Sequence, residues 1–215
     1  AESHIPNATT SPAYIDARLK PEDAKIASAL VRWRDLRDGR GYGFSDYAAF
    51  LMEYPDWPAA TEMRKRAEQA IPNYGYSQSQ LIAFFDRMPP VTNGGRAKYA
   101  LALHDTGNQE KAVHWARLAW QNGTLGTEDE TALLRIMASG LTSADYDRRS
   151  ENLMWQKSWT DAERLLPYNS DARRPAFAAR LAMARGTPDA EDKYLALGAA
   201  AFSDPDILAE RAMML

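Results

Sequence analysis

The residues of this sequence that could do chemistry are its tryptophans and its carboxylates. A tryptophan ring is large, rigid and apolar, and it can stack on the face of a sugar ring. The six tryptophans are Trp33, Trp57, Trp115, Trp120, Trp155 and Trp159. Because their spacing is helical, they are more typical of a helix-packing core than of a sugar-binding face. We therefore expect Tyr54, Trp57 and Trp155 to be packing residues, with a surface contact to sugar as the alternative for Trp155.

The carboxylates do not single out a catalytic pair. Glycoside cleavage needs a buried acid in an apolar pocket and a second group at a defined distance. Glu128, Asp129 and Glu130 form a cluster at a predicted helix start, which favours solvated capping of that helix. Glu53 precedes Tyr54 at a predicted helix end, and it is a weak candidate for a catalytic acid. We assign no catalytic residue from the sequence.

Motifs for metal or cofactor binding are missing from the sequence. The chain has no cysteine, which excludes disulfides and thiolate ligands. The glycine-rich run at residues 39–43 has no preceding strand and no Lys-Ser/Thr ending, so it predicts a helix end rather than a phosphate loop. We expect no metal and no cofactor, because the three histidines show no metal-ligand spacing: His4, His104 and His114.

Charge and hydropathy argue against two classes of partner. The chain has 26 Lys and Arg against 29 Asp and Glu, a net charge of -3, which gives no reason to expect nucleic acid. No apolar run approaches the length of about 18 residues that a membrane span needs. The arginine pairs at 148–149 and 173–174 could bind phosphate or carboxylate, but such pairs more often bridge neighbouring helices or stay solvated.

Composition predicts an all-α fold. The chain has 37 Ala and 20 Leu against 3 Val and 7 Ile, and a sheet needs β-branched residues. Short-range signals place helices near 22–38, 45–54, 58–71, 77–88, 94–106, 109–122, 127–139, 143–157, 160–167, 171–185, 189–201 and 205–214. Short linkers make consecutive helices antiparallel neighbours.

Local signals also predict how the helices begin and end. Pro21 is expected as a first helical residue, and an apolar face is expected on the first helix from Ile26, Leu30, Trp33 and Leu36. Hydroxyl residues three positions before a carboxylate predict capping boxes at Thr127, Thr142 and Thr160. Thr187 before Pro188, and Ser203 with Pro205 and Asp206, are also expected to be helix caps.

A degenerate repeat runs through the chain. Residues 50–55 (FLMEYP) match residues 84–89 (FFDRMP) at an offset of 34, and residues 107–112 are echoed by residues 157–162. A period of 34 with helix–turn–helix units predicts an α-superhelix, or solenoid, of the tetratricopeptide type, with an ordinary helical bundle as the alternative. We expect an extended lead-in at residues 1–20 and one α-superhelical domain at residues 21–215.

Several segments resemble the N-terminal superhelical domain of soluble lytic murein transglycosylases. They are residues 33–36 (WRDL), 47–58 (YAAFLMEYPDWP), 63–68 (MRKRAE), 141–149 (LTSADYDRR), 153–155 (LMW) and 162–166 (AERLL). The resemblance covers about residues 22–185, and the segments occur in the family's order.

The resemblance implies a part in cleaving peptidoglycan. The family is periplasmic, needs no metal or cofactor, and cleaves the bond between N-acetylmuramic acid and N-acetylglucosamine to leave 1,6-anhydro ends. Its catalytic Glu lies in a Glu-Ser motif of a C-terminal lysozyme-like domain. The single Glu-Ser of this chain is Glu2-Ser3 in the lead-in, outside that context, so no catalytic residue is carried over. This chain resembles the scaffold half, inactive by itself, with glycan strands, the missing catalytic domain and other cell-wall enzymes as expected partners.

Two alternatives remain open at the sequence level. One is a stand-alone helical-repeat module of the cell envelope that binds proteins. The other is a small glycan-active enzyme with an unrecognised carboxylate pair. The start at Ala1 suits either a mature secreted protein or a fragment, and the apolar ending at residues 212–215 suggests a natural chain that continues.

Overall fold

The computed structural model describes residues 20–39, 41–137 and 139–214, without the side chains of residues 200, 202, 213 and 214. The fold of these residues is all-α, as the composition predicts. They form twelve α-helices and no strand. The helices are α1 (Pro21–Asp38), α2 (Phe44–Glu53), α3 (Ala60–Gln69), α4 (Gln78–Arg87), α5 (Asn93–Asp105), α6 (Gln109–Gln121), α7 (Thr127–Met137), α8 (Ser143–Trp155), α9 (Trp159–Leu165), α10 (Arg174–Arg185), α11 (Ala190–Ala196) and α12 (Pro205–Met214).

The chain divides into two compact units, residues 1–70 and residues 71–215. The first unit contains α1, α2 and α3, and the second contains α4 to α12. Two short 3₁₀ segments, Leu166–Tyr168 and Gly198–Phe202, follow α9 and α11. The predicted lead-in lies outside the described residues except for Lys20. None of the described helices is both long and apolar enough to cross a bilayer.

In the first unit, the ends of the helices agree with the sequence prediction better than the set of buried residues does. Pro21 is the first residue of α1, and α1 ends before Gly39. A Cβ on Gly39 would lie 2.3 Å from the carbonyl oxygen of Asp35, so only glycine fits at this end. The predicted apolar face of α1 is partly wrong as a core: Leu36 is buried, whereas Ile26 and Leu30 are exposed. The core of this unit is formed mainly by α2, which buries Phe44, Tyr47, Phe50 and Leu51.

Of the five predicted helix caps, the one at Thr142 is correct. Asp145 Oδ2 accepts a hydrogen bond from the backbone N–H of Thr142 at 2.9 Å. Thr127 and Thr160 lie inside their helices rather than before them. The helices α11 and α12 begin after Asp189 and Asp204 rather than at Thr187 and Ser203. In α12 the side chain of Asp204 accepts from the N–H of Asp206 at 3.0 Å, because a carboxylate competes well for exposed helix-start donors.

The repeat appears in the backbone conformation as well as in the amino-acid sequence. Tyr54 and Met88, at the predicted offset of 34, end α2 and α4 with nearly equal angles, φ -130° and ψ 65° against φ -129° and ψ 84°. Each donates its N–H to the carbonyl four residues earlier, at 2.8 Å in both cases. The sequence match therefore corresponds to a shared local conformation.

Three helix pairs of the second unit are joined by the same type of turn. The pairs are α5–α6, α8–α9 and α10–α11, and the left-handed residues are Gly107 (φ 86°), Lys157 (φ 57°) and Gly186 (φ 62°). The residue after each one donates its N–H to the carbonyl five residues earlier, at 2.9, 2.8 and 3.0 Å. This is a Schellman turn, which satisfies the free carbonyls of a helix end. Repetition of the turn gives a helical-repeat arrangement in this unit, and superhelical curvature stays a prediction.

Among the described residues of the second unit, three core clusters follow one another along the chain from α5, and α4 adds buried Leu81, Phe84 and Phe85. The first joins α5, α6 and α7 around Trp120 and Leu133. The second joins α8, α9 and α10 around Leu153 and Phe177. The third joins α10, α11 and α12 around Met183. Tyr146 packs against both the first and the second cluster, so these two form a continuous core.

Candidate functional site

The six tryptophans separate by exposure, and Trp155 differs from the others. Trp120 is 1% exposed and the other four are half-buried, whereas Trp155 is 67% exposed. The expectation that Trp155 is a packing residue is therefore wrong. Residues turn by about 100° along a helix, so Trp155 points about 200° away from the buried Leu153. Because α8 ends at Trp155, the helix places this ring at the surface.

The two other expected packing residues do pack, and they lie in the first unit. Tyr54 and Trp57 are half-buried, and both contact Phe50, with ring centroids 5.1 and 5.6 Å from it. Trp33 adds a contact with Trp57 at 6.5 Å and donates a hydrogen bond to the carbonyl of Pro58 at 2.7 Å. These rings belong to an aromatic cluster and present no free face comparable to that of Trp155.

Trp155 borders a small surface cavity of about 110 Å³. The Schellman turn at Lys157 reverses the chain between α8 and α9, which brings Trp155 and Trp159 to the same cavity. The remaining walls come from α8, α10 and α12. The lining residues are Met154, Trp155, Lys157, Trp159, Arg180, Asp206, Ala209 and Glu210. We refer to this set as the Trp155 site.

A buried ion-pair cluster forms the polar side of the Trp155 site. Arg180 Nε donates to both carboxylate oxygens of Glu210, at 3.1 and 3.0 Å. The same guanidinium pairs with Glu151 at 2.5 Å and lies 3.8 Å from Asp206. One cation thus faces three carboxylates, contributed by α8 and α12. The cluster joins three helices and fixes the wall of the cavity.

The charge balance of this cluster affects the proton affinity of Glu210. Burial raises the pKa of the Glu210 carboxyl, Asp206 and Glu151 raise it further, and Arg180 opposes them. A buried acid with a raised pKa is one requirement for general acid catalysis. However, both Glu210 oxygens accept from Arg180, so we assign this residue to helix anchoring. No local sequence pattern marks Glu210, because its partner Arg180 is 30 residues away along the chain.

The carboxylates that the sequence suggested as candidates lie outside the Trp155 site, and three of them form ion pairs there. Glu53 is exposed, and a hydrogen bond from Lys25 lowers its pKa, the opposite of what a general acid needs. Glu130 was expected to be a solvated capping residue, and this is wrong: it is buried and binds two arginines. Asp129 is also not solvated, because it forms an ion pair with the buried Lys98 at 2.7 Å.

The arginine pairs mainly bridge neighbouring elements of the fold, as such pairs commonly do, rather than leaving their guanidinium groups free for a ligand. Arg149 is buried, donates to Glu130 at 2.7 Å, and stacks 4.1 Å above the Trp120 ring. Arg174 donates to two backbone carbonyls after α9, at 3.0 and 2.7 Å. Arg173 pairs with Glu151. Arg148 is the exposed member of its pair.

The histidines do not form a metal site with the carboxylates around them. Across the described part of the chain, no three residues of the metal-ligating types lie close enough to share an ion. His104 hydrogen-bonds to Gln109 at 2.8 Å, and exposed His114 lies edge-on to Trp115. His4 is outside the described residues.

Comparison with known proteins adds no assignment. No family model matches the chain, and no curated protein or solved structure matches it. The likeness to lytic transglycosylases therefore depends on the sequence segments alone.

Proposed function

We propose that this chain is the helical scaffold of a peptidoglycan lytic transglycosylase and that it holds glycan strands at the Trp155 site. The observation that carries the proposal is the free tryptophan face at the end of α8, 67% exposed beside Trp159. Apolar rings offer the flat surface on which a sugar ring stacks. In the adjoining wall, the carboxylate of Asp206 is 25% exposed and supplies acceptor oxygens for sugar hydroxyls.

The sequence resemblance supports the choice of peptidoglycan as the glycan. Residues 141–149, 153–155 and 162–166, which carry part of the resemblance, make up much of α8 and α9 around the Trp155 site. On this proposal the protein works in the periplasm. Cleavage between N-acetylmuramic acid and N-acetylglucosamine belongs to a lysozyme-like partner domain, and no step of it is assigned to residues of this chain.

Binding to isolated cell-wall sacculi tests the proposal. The purified chain is expected to co-sediment with sacculi and to release no 1,6-anhydromuropeptides. Trp155→Ala is expected to weaken binding by roughly tenfold, the equivalent of one lost aromatic stacking contact. Leu195→Ala is the matched control, because Leu195 is an exposed apolar residue outside the site. Wild-type binding by Trp155→Ala would contradict the glycan site, and clear release of anhydromuropeptides would contradict the scaffold function.

A protein-interaction module of the cell envelope is the second candidate, and one observation favours it. The exposed Ile26, Leu30 and Val31 of α1 form apolar surface in the first unit, and exposed apolar residues in contiguity are typical of protein contacts. This candidate predicts that sacculi do not bind and that Trp155→Ala changes nothing. The same sedimentation experiment therefore separates the two functions.

A further inference from the structure

The second unit also has a cleft between α5 and α7 that the glycan proposal does not use. Its volume is about 390 Å³, which lies in the range of small-molecule sites. Helix α5 supplies Lys98, Leu101 and Asp105, and α7 supplies six residues from Thr127 to Arg135. The loop before α4 contributes the remaining wall. The lining residues are Asn73, Tyr74, Tyr76, Lys98, Leu101, Asp105, Thr127, Glu128, Asp129, Thr131, Ala132 and Arg135.

A buried lysine holds the three walls of this cleft in place. Lys98 is 5% exposed. Its Nζ donates to Asn73 Oδ1 of the loop at 3.0 Å and pairs with Asp129 Oδ1 of α7 at 2.7 Å. The ammonium also lies 6.0 Å from the centroid of the Tyr76 ring. The cleft is therefore shaped before any ligand enters, and Lys98 and Asp129 neutralise each other.

Three charges of the cleft remain without an ion-pair partner among the described residues. They are the carboxylates of Asp105 and Glu128 and the guanidinium of Arg135, and all three are exposed. Glu128 and Arg135 are seven residues apart on α7, which puts them on one face about 10 Å apart along the axis. The cleft thus offers two free anions and one free cation at separate points.

Two tyrosines add aromatic surface to the acidic end. Tyr74 is 78% exposed and flanks Gly75, whose φ of 76° turns the loop. Tyr76 is half-buried. Burial raises its pKa, and the negative charges of Asp105 and Asp129 raise it further. Because the buried Lys98 pairs with Asp129, Asp105 is the free carboxylate near this ring, and an aromatic face beside a carboxylate is a favourable place for an alkylammonium group.

We propose that this cleft binds a diamino acid, a small molecule with two ammonium groups and one carboxylate. Its two cations complement Asp105 and Glu128, and its carboxylate complements Arg135, since a guanidinium binds carboxylates in a forked geometry. The aliphatic chain between the charges lies against the tyrosines, Leu101 and Ala132. A neutral sugar would leave all three charges unpaired, so this ligand class differs from that of the Trp155 site.

Titration calorimetry of the whole chain with three related probes tests the assignment. L-lysine carries all three groups, norleucine lacks the side-chain amine, and 1,5-diaminopentane lacks the carboxylate. Lysine is expected to bind more tightly than either of the others, by about tenfold, because each loses one charge-assisted contact. Equal affinity for all three probes, or no heat with lysine at millimolar concentration, would overturn the proposal.

Variants of the three free charges identify the site. Asp105→Asn, Glu128→Gln and Arg135→Gln are each expected to weaken lysine binding by about tenfold or more. Arg135→Gln is also expected to abolish the preference for lysine over 1,5-diaminopentane. Asp192→Asn, an exposed acid outside the cleft, is the control and should bind as wild type does. All four residues are exposed, so circular dichroism should show unchanged helix content.

Lysine binding that survives all three cleft variants would overturn the assignment of the cleft as a diamino-acid site. The glycan proposal does not depend on this assignment, because sacculus binding is tested at Trp155 and lysine binding is tested at the cleft. Loss of one with retention of the other shows which of the two is wrong.

Discussion

At the scale of single residues, two residues of the same type can contribute very differently to the free energy of unfolding. Trp120 of α6 is enclosed by α5, α7 and Arg149, whereas Trp155 lies at the surface. We expect Trp120→Ala to lower the free energy of unfolding by about 3–5 kcal/mol, the usual cost of deleting a buried Trp. We expect Trp155→Ala to cost less than about 1 kcal/mol. Urea unfolding followed by circular dichroism measures both, and equal losses would show that Trp155 is buried in solution.

A second residue-scale prediction concerns the turn between α8 and α9. Lys157 adopts a left-handed conformation with φ 57°, which costs a residue with a Cβ about 1–2 kcal/mol. Gly107 occupies the equivalent position between α5 and α6 with φ 86°. Lys157→Gly is therefore expected to stabilise the protein by about 1 kcal/mol, and Gly107→Ala to destabilise it by a similar amount. A change of the same sign in both variants would contradict the shared turn.

The limit of sequence reasoning is clearest at this scale. The left-handed turn at Gly107 could be predicted, because glycine itself signals it. The exposure of Trp155 could not, since it depends on which helices cover the end of α8. Glu130 has the sequence pattern of a helix-start acid, but its partner Arg149 is 19 residues further along the chain. Local patterns report local conformation, and burial is decided by contacts that no short window contains.

At the scale of helices, buried charge pairs join neighbouring elements. Arg149 on α8 is buried and pairs with Glu130 on α7, which also accepts from Arg164 on α9 at 2.6 Å. Glu130→Leu leaves a buried guanidinium unpaired and is expected to cost about 3–5 kcal/mol of unfolding free energy. The double variant Glu130→Leu with Arg149→Met is expected to regain most of this loss, because apolar residues of similar volume replace the pair.

The control for this pair is the second partner of Glu130. Arg164 has a side chain that is 46% exposed, and exposed ion pairs contribute less than about 1 kcal/mol. Arg164→Met is therefore expected to change stability little. A double variant no more stable than Glu130→Leu alone would show that the charge is not the source of the loss.

The start of α8 predicts a pH dependence with a definite sign. Burial acts to raise the pKa of Asp145, but hydrogen bonds from Thr142 and Gln121 and the charge of Arg117 outweigh it, so the pKa lies below its ordinary value of 3.8. The unfolded chain therefore binds the proton more tightly than the folded one does. The stabilisation is complete above the ordinary pKa and is lost as the pH falls through the lowered value.

The measurement compares acid unfolding of three proteins. Wild type is expected to lose stability below about pH 4 more steeply than Asp145→Asn, which cannot gain this proton. Asp56→Asn removes the same charge at an exposed position and should follow wild type. Parallel acid-unfolding curves for wild type and Asp145→Asn would show that Asp145 has an ordinary pKa in the folded protein.

The positions of the helices along the chain could be predicted far better than the contacts that each helix makes with other helices. All twelve occur close to their expected positions, because Pro21, Gly39 and the Ala- and Leu-rich runs act within one or two turns. The largest differences are at 58–71, where the helix is shorter, and at 189–201, where a 3₁₀ segment replaces its second half. The Lys98–Asp129 pair, which shapes the α5–α7 cleft, joins residues 31 positions apart and has no sequence signature.

At the scale of the whole molecule, the second unit contains the elements that a stable domain needs. Its three core clusters follow one another from α5 to α12, and its ion pairs at Arg149 and Arg180 join helices within the unit. A repeat array is stabilised by contacts between neighbouring units. We therefore expect residues 71–215 to fold when expressed alone, with a helical circular dichroism spectrum and cooperative urea unfolding.

A shorter fragment, residues 71–185, is the matched control for this prediction. It ends with α10, so Arg180 loses Glu210 and Asp206 and retains Glu151 alone among these partners. It also exposes Ala182 and Met183, which α11 and α12 cover in the third cluster. A buried charge that loses two of its three partners and new apolar surface both disfavour the folded state. We expect this fragment to unfold at lower urea and to aggregate. Equal stability of the two fragments would show that α11 and α12 do not contribute to the core of the unit.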